Sequence, residues 1–269
     1  MTTARHLLLG LAFMTVAALS GAAATAQEVL KIGSYPANPP WEFKNEAGEF
    51  EGFEVDIVNE IAARTGATTQ IDGLDFRALF VATASRRVDA VISSLTITNE
   101  RLEAQSFTQP YAEGALGVGV KKDAGIAGLE DLKGKRVGAI ATTVSENWLK
   151  EREAELGYAS YSSYDTTINL VTDLRNGRID AAVNDAVGLL YAFAQPDMNK
   201  LEVSFQIPTG DKYAIMMPKG SDRLQAFNDA ISAMKTDGTM AALYEKWFGV
   251  PAAADSLTLT PLPVPTSAD

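Results

Sequence analysis

The 269-residue chain has no cysteine and one histidine, His6. Without cysteine there is no disulfide, no thiolate metal site and no cysteine nucleophile. Long apolar stretches are scarce too. Beyond Ala26 the longest, Ala186–Ala194, is far too short to span a bilayer. Positive charge is the minority sign: 23 basic against 34 acidic residues give a formal charge of −11. That argues against nucleic acid or an anionic membrane as partner, because phosphates call for concentrated Lys and Arg. There is no G-x-x-x-x-G-K-[ST] loop, and Gly114, Gly117 and Gly119 do not make the dinucleotide fingerprint. The acidic residues lack calcium-loop spacing, so neither metal nor other cofactor is expected. What is present is ordinary globular composition, 46% apolar and 21% charged, in a chain long enough for one large domain or two modest ones.

The first 26 residues read as a segment removed from the working protein. Arg5 and His6 precede an apolar run, Leu7 to Leu19, broken only by Gly10 and Thr15, and Ala24-Thr25-Ala26 supplies an A-x-A end. That pattern is a secretory signal peptide cut after Ala26, with a retained anchor as the other reading. The expected location is the periplasm. Removing His6 leaves an exported chain with neither His nor Cys, so Ser-His-Asp triads, Cys-His dyads and histidine bases are unavailable. Binding becomes the default reading and catalysis the exception.

Within the exported chain, Val29–Ser34 reads as a buried strand, and Pro36, Pro39 and Pro40 force an extended loop after it. Phe53, Ile57, Val58 and Ile61 recur at helical spacing with Gly66 near the C-terminal cap. Leu224, Phe227, Ile231 and Met234 make a second stripe, followed by a short closing helix to Trp247. Between them short β-rich runs (Val88–Ser93, Lys135–Ile140, Ile179–Asn184) alternate with helical patterns. This predicts an α/β fold with mainly parallel sheets. The proline-bearing stretch 251–269 reads as a loosely attached extension.

One internal repeat stands out. Arg87-Val88-Asp89-Ala90-Val91-Ile92-Ser93-Ser94 aligns with Arg178-Ile179-Asp180-Ala181-Ala182-Val183-Asn184-Asp185, with Leu79 over Leu170 in the preceding helices. Ligands of open α/β sheets sit beyond the carboxyl ends of strands. Two equivalent strand ends suggest two similar lobes facing one cleft; chance similarity of a common helix–strand unit is the other reading.

These residues carry a family resemblance. The segments KIGSYPANPPWEF, GEFEGFEVDIVNEIAARTG, RRVDAVISSLTITNERLEAQSFTQPY, LKGKRVGAIATTVSE, GRIDAAVNDAV and DGTMAALYEKWFG, in this order, resemble the bacterial extracellular solute-binding proteins of family 3, from about Leu30 to Gly249. The resemblance implies a two-lobed periplasmic-binding-protein fold (type II), with two hinge crossings and a ligand cleft between lobes. It places lobe 1 at about 27–115 and 213–250, lobe 2 at 116–212, and hinges near Glu113–Gly117 and Thr209–Tyr213. The implied activity is capture of a polar amino acid or related small zwitterion by lobe closure and its delivery to an ABC transporter membrane permease. A monomer is expected. A same-fold enzyme such as a small-acid dehydratase is the alternative, with Glu42 and Glu113 as candidate carboxylates.

By family position Arg101 grips the ligand α-carboxylate, since a guanidinium fork matches a carboxylate and stays charged when desolvated. Ser94 and Thr96 add hydroxyl or backbone donors, unless they serve only as turn or cap residues. Asp185 is the counterpart for the ammonium. Thr143 marks a helix start whose free N–H groups favour carboxylate oxygens, although Thr142 and Val144 replace the usual glycine and hydroxyl. Phe76 packs on the ligand's aliphatic part or belongs to the core. Tyr35 replaces an acidic residue found in many members and Asn38 an aromatic. That argues against a strongly cationic ligand side chain, because a buried charge needs a partner. Tyr35, Asn38 and Asn184 suit a neutral polar side chain instead. Trp41 reads more readily as a lobe-packing residue than a ligand contact.

Overall fold

The computed structural model describes residues 27–268, so the signal peptide and its cut lie outside the described residues. The first buried run forms β1 (Glu28–Ser34). The proline-bearing segment after it is not the extended loop expected. It folds into a small antiparallel flap of β2 (Ala37–Asn38), β3 (Glu42–Lys44) and β4 (Phe50–Glu51). The prolines are tolerated because Pro36 precedes β2 and Pro39-Pro40 make the turn, where no ladder N–H is needed. The first helical stripe becomes α1 (Phe53–Arg64), which buries Phe53, Val55, Ile57, Val58 and Ile61. Each such side chain contributes about 1.5–3 kcal/mol of apolar burial. Then come β5 (Ala67–Gly73), α2 (Phe76–Ala84), β6 (Ala90–Ile92), α3 (Asn99–Ala104) and β7 (Gln105–Phe107).

The chain leaves this lobe along β8 (Ala112–Lys121) and builds a second: β9 (Arg136–Ile140), α4 (Val144–Glu151), α5 (Glu153–Leu156), β10 (Ser160–Tyr164), α6 (Thr167–Asn176), β11 (Ala181–Asp185) and α7 (Ala186–Phe193). It returns along β12 (Leu201–Tyr213) to add β13 (Met216–Pro218), α8 (Leu224–Thr236) and α9 (Thr239–Phe248) to the first lobe. The sheet orders are β5-β1-β6-β13-β7 and β10-β9-β11-β8-β12. Neither sheet is mainly parallel. β1 pairs in parallel with β5 and β6, and β9 with β10 and β11, but β13, β8 and β12 run antiparallel to their neighbours. The strands that cross between lobes and return impose that direction.

The internal repeat is structural. Asp89 Oδ2 accepts from the Lys31 N–H at 2.8 Å, and Asp180 Oδ2 from the Arg136 N–H at 2.9 Å. Each aspartate fastens its own strand to the parallel neighbour at the same place in its lobe. Leu79 and Leu170 are both fully buried behind the equivalent strands. The ends of β6 and β11 therefore present Ser94 and Asp185 from equivalent positions.

Crossing strands β8 and β12 pair antiparallel, Tyr213 opposite Ala112, with a register shift between Pro208 and Asp211. Gly114 is required there, because a Cβ would fall 2.3 Å from the Tyr213 ring. Residues 251–268 are not loosely attached. Leu262 N–H donates to Gln109 Oε1 at 2.8 Å, Lys235 Nζ to the Thr260 carbonyl at 3.0 Å and Lys212 Nζ to the Ala268 carbonyl at 3.2 Å, and Thr258 is buried. Proline lowers the entropy cost of holding such a segment extended. Among the described residues no helix is long and apolar enough to cross a membrane.

Candidate functional site

One cavity between the lobes is lined by all nine residues singled out from sequence: Tyr35, Asn38, Phe76, Ser94, Thr96, Arg101, Thr143, Asn184 and Asp185. Its empty volume, open mouth included, is about 560 Å³. The walls are strand ends and helix starts. Ser94 follows β6, Thr143 caps α4, and Asp185 ends β11 and caps α7.

Arg101 lies in the first turns of α3, whose N-cap Thr98 accepts from the Arg101 N–H. Its guanidinium is held by the Thr96 carbonyl at 2.9 Å, reaches the Thr142 carbonyl of the other lobe at 3.5 Å, and lies 5.0 Å from the Phe80 ring centre. Among the described residues no carboxylate forms an ion pair with it. Burial pushes its pKa down to about 10, and Asp211 and Glu100 offset that only from farther away. Such a group is a desolvated cation in want of an anion. The Thr96 N–H shares the Arg101 side of the backbone, because Thr96 stands opposite Tyr213 at a bridge whose bonds run through Leu95 and Ile97.

The expected donors are partly committed elsewhere. Ser94 N–H is taken by both oxygens of Glu54 at 2.9 and 3.0 Å, so only its hydroxyl faces the cavity, fixed by the Asn38 amide at 2.9 Å. Thr143 Oγ1 donates to the Ile140 carbonyl at 2.7 Å and accepts from the Glu146 N–H at 3.3 Å. Its offering to a ligand is therefore backbone N–H at the start of α4, joined by Val144 and Ser145, which also line the cavity. Thr142 adopts φ 64°, a left-handed conformation costly for a β-branched residue, which explains why glycine is usual there in the family the sequence resembles. Thr142→Gly is expected to raise the melting temperature by about 2 °C in a thermal scan, strain relief outweighing the added chain entropy.

Asp185 forms the opposite pole. Oδ2 accepts from Trp41 Nε1 at 2.9 Å and the Gly188 N–H at 2.7 Å, and Oδ1 accepts from Tyr213 Oη at 2.7 Å. A carboxylate has about four acceptor sites, so one remains on Oδ1. Burial raises its pKa, while the bonds from Trp41 and Tyr213 pull it down. Among the described residues no cation pairs with it. Trp41 belongs to the flap and Asp185 to the far lobe, so this bond also fastens the lobes, and Trp41 is a packing residue with a polar role.

Between the poles the lining is neutral. Tyr35 Oη is buried without a hydrogen-bond partner among the described residues, close to Thr167 of the far lobe, and burial raises its phenol pKa. Phe76 is half-buried, edge-on to Phe80 at 5.6 Å, so it serves the core and the cavity wall together. Sequence reasoning missed Tyr213, Ser93, Leu116, Ile140, Val144, Ser145 and Thr167 as lining residues. The Ser93-Ser94 pair was a usable signal; Tyr213 reaches the cavity through the crossing of two strands far apart in sequence. Glu42 and Glu113, the carboxylates offered for an enzyme, do not line the cavity: Glu42 is fully buried behind Ser93, and Glu113 is exposed. No cluster of potential metal ligands occurs among the described residues.

The sequence matches the bacterial extracellular solute-binding proteins, family 3, over residues 30–250. The chain belongs to this family. Among curated relatives of this solute-binding protein is the L-cystine-binding protein TcyJ of Escherichia coli (strain K12), 33% identical over 223 residues covering 82% of each chain. ABC transporter arginine-binding protein 1 of the same strain is 32% identical over 230 residues, 84% of this chain and 93% of the relative. Among solved structures, an ancestral arginine-binding protein bound to arginine superposes with a TM-score of 0.78 at 34% identity, covering 83% of this chain and 99% of the other. An ancestral arginine-binding protein bound to glutamine gives 0.77 at 35%, covering 84% and 100%. The two-lobed type II fold follows from these likenesses, and the relatives are binding proteins rather than enzymes.

Proposed function

We propose that this solute-binding protein is a periplasmic receptor for a zwitterionic amino acid with a neutral polar side chain, which it passes to an ABC permease. One observation carries the reading: one inter-lobe cavity holds a half-buried arginine at one pole and a buried aspartate at the other, neither of them in a direct ion pair among the described residues. An α-amino acid supplies both missing charges. Its carboxylate meets Arg101, the Thr96 N–H and the N–H groups at the start of α4; its ammonium meets Asp185 and the Ser94 hydroxyl. The side chain lies among Tyr35, Asn38, Asn184 and Phe76. Lobe 1 (27–115 and 213–250) and lobe 2 (116–212) close on it about the crossings near 113–117 and 209–213, as a hinged clamp. The exported protein works as a monomer. No observation in the cavity favours the enzymatic alternative.

A thermal-shift panel on the exported chain, freed of carried ligand by unfolding and refolding, tests this. At about 1,000 times the dissociation constant a true ligand adds roughly 4 kcal/mol, or on the order of 8–16 °C. A neutral polar amino acid, such as one with a side-chain amide, is expected to stabilise most and to be recovered unchanged. Stabilisation by none of the amino acids, or turnover of the stabiliser, would overturn the reading.

A further inference from the structure

Beneath the cavity floor lies an ionisable pair that ligand binding does not use. Glu42 on β3 and Glu54 on α1 are both essentially fully buried, at 0% and 1% exposure. Glu54 is well served: both oxygens accept from the Ser94 N–H, and Tyr111 Oη donates to Oε1. Glu42 is not. Oε1 accepts from Ser93 Oγ at 2.9 Å, while Oε2, sealed from solvent, has no hydrogen-bond partner among the described residues; the Glu42 carboxyl neighbours Glu54. Among the described residues, the groups around them supply no positive charge. Glu42 faces Glu54, Ser93 and the Asn38 amide, with the Tyr35 and Tyr111 phenols near. Glu54 faces Tyr111, with Tyr213 and Asp185 farther off. Two carboxylates without a cation are not sustainable in so dry a place, and the orphaned oxygen marks where the proton sits.

We propose that Glu42 is a neutral carboxylic acid whose Oε2–H donates to the Glu54 carboxylate, making the two a positioning pair for the Ser94 turn. Glu54 keeps its charge and holds Ser94 in its left-handed turn at φ 40°, which aims the Ser94 hydroxyl into the cavity. Glu42 supplies the last donor that Glu54 lacks. Burial and the neighbouring carboxylate both raise the pKa of Glu42 well above the glutamate range. The unfolded chain releases that proton more readily than the native one, so native stability declines as pH rises from the ordinary glutamate range toward the raised value.

The test needs no ligand, so its failure is separate from failure of the receptor reading. Glu42→Gln replaces the acid by a neutral group of the same shape that also donates toward Glu54. Compared with wild type, its melting temperature is expected to gain several degrees between about pH 5 and about pH 8, because the variant lacks the decline that Glu42 contributes, while the raised pKa values of Glu54 and Asp185 act in both proteins. The wild-type infrared spectrum at neutral pH should show the carbonyl band of a buried protonated carboxylic acid, lost in Glu42→Gln. Parallel pH curves, an absent or unchanged band, or failure of Glu42→Gln to fold would each overturn the proposal.

Discussion

Arg101→Ala is expected to weaken amino-acid binding by roughly 2–5 kcal/mol, the range for stripping one partner from a buried charge pair. The fold should survive. Its guanidinium adds two carbonyl contacts and a face on Phe80, but its charge is held in a place that disfavours it, with the pKa pushed down to about 10. Ligand-free Arg101→Ala should therefore melt at or above the wild-type temperature while losing the ligand-induced shift. Arg101→Lys should fail as well, because an ammonium cannot reproduce the two-pronged match to a carboxylate. Calorimetric titration of the three proteins with one amino acid separates these outcomes.

Asp185→Asn is the second large effect, again on the order of 2–5 kcal/mol in affinity. Three donors converge on this carboxylate from Trp41, Gly188 and Tyr213. An amide must turn its NH₂ toward at least one of them, so it loses the ammonium's counter-charge and disturbs the bond that fastens flap to far lobe. The pH dependence carries a sign. Burial raises the pKa of the ligand-free Asp185, so protonation competes with ammonium binding at a higher pH than for an ordinary aspartate. Wild-type affinity should fall as pH drops from neutral toward that raised value, a decline Asp185→Asn should not show.

The fold was legible in sequence where local pattern and burial agree. The stripes of α1 and α8 and the paired strand ends of the repeat are set by periodicity, and each lands as an element burying those residues, except that Leu224 at the start of α8 is only partly covered. The sheet directions were not, because antiparallel pairing of β8, β12 and β13 follows from two crossings that no local pattern encodes. All nine site candidates meet in one cavity, since strand ends and helix starts are places the sequence marks. Which atoms stay free was not legible. Ser94 N–H and Thr143 Oγ1 have local appeal as ligand donors, yet Glu54 and the α4 cap take them. Tyr213 and Trp41 act on Asp185 across separations of 28 and 144 residues. The tail 251–268 read as loose because its prolines suggest a free segment, whereas its carbonyls and N–H groups find Lys235, Lys212 and Gln109.

The clamp on a zwitterion is most directly tested by titrating the refolded, ligand-free protein with the best-stabilising amino acid and then with its α-carboxamide, which keeps the ammonium and the side chain but lacks the carboxylate. The free amino acid should bind one-to-one and be recovered intact, and the carboxamide should bind at least about 30-fold more weakly, the equivalent of roughly 2 kcal/mol. Equal affinity for the two compounds would contradict the account, because Arg101 and the start of α4 would then not be holding a carboxylate.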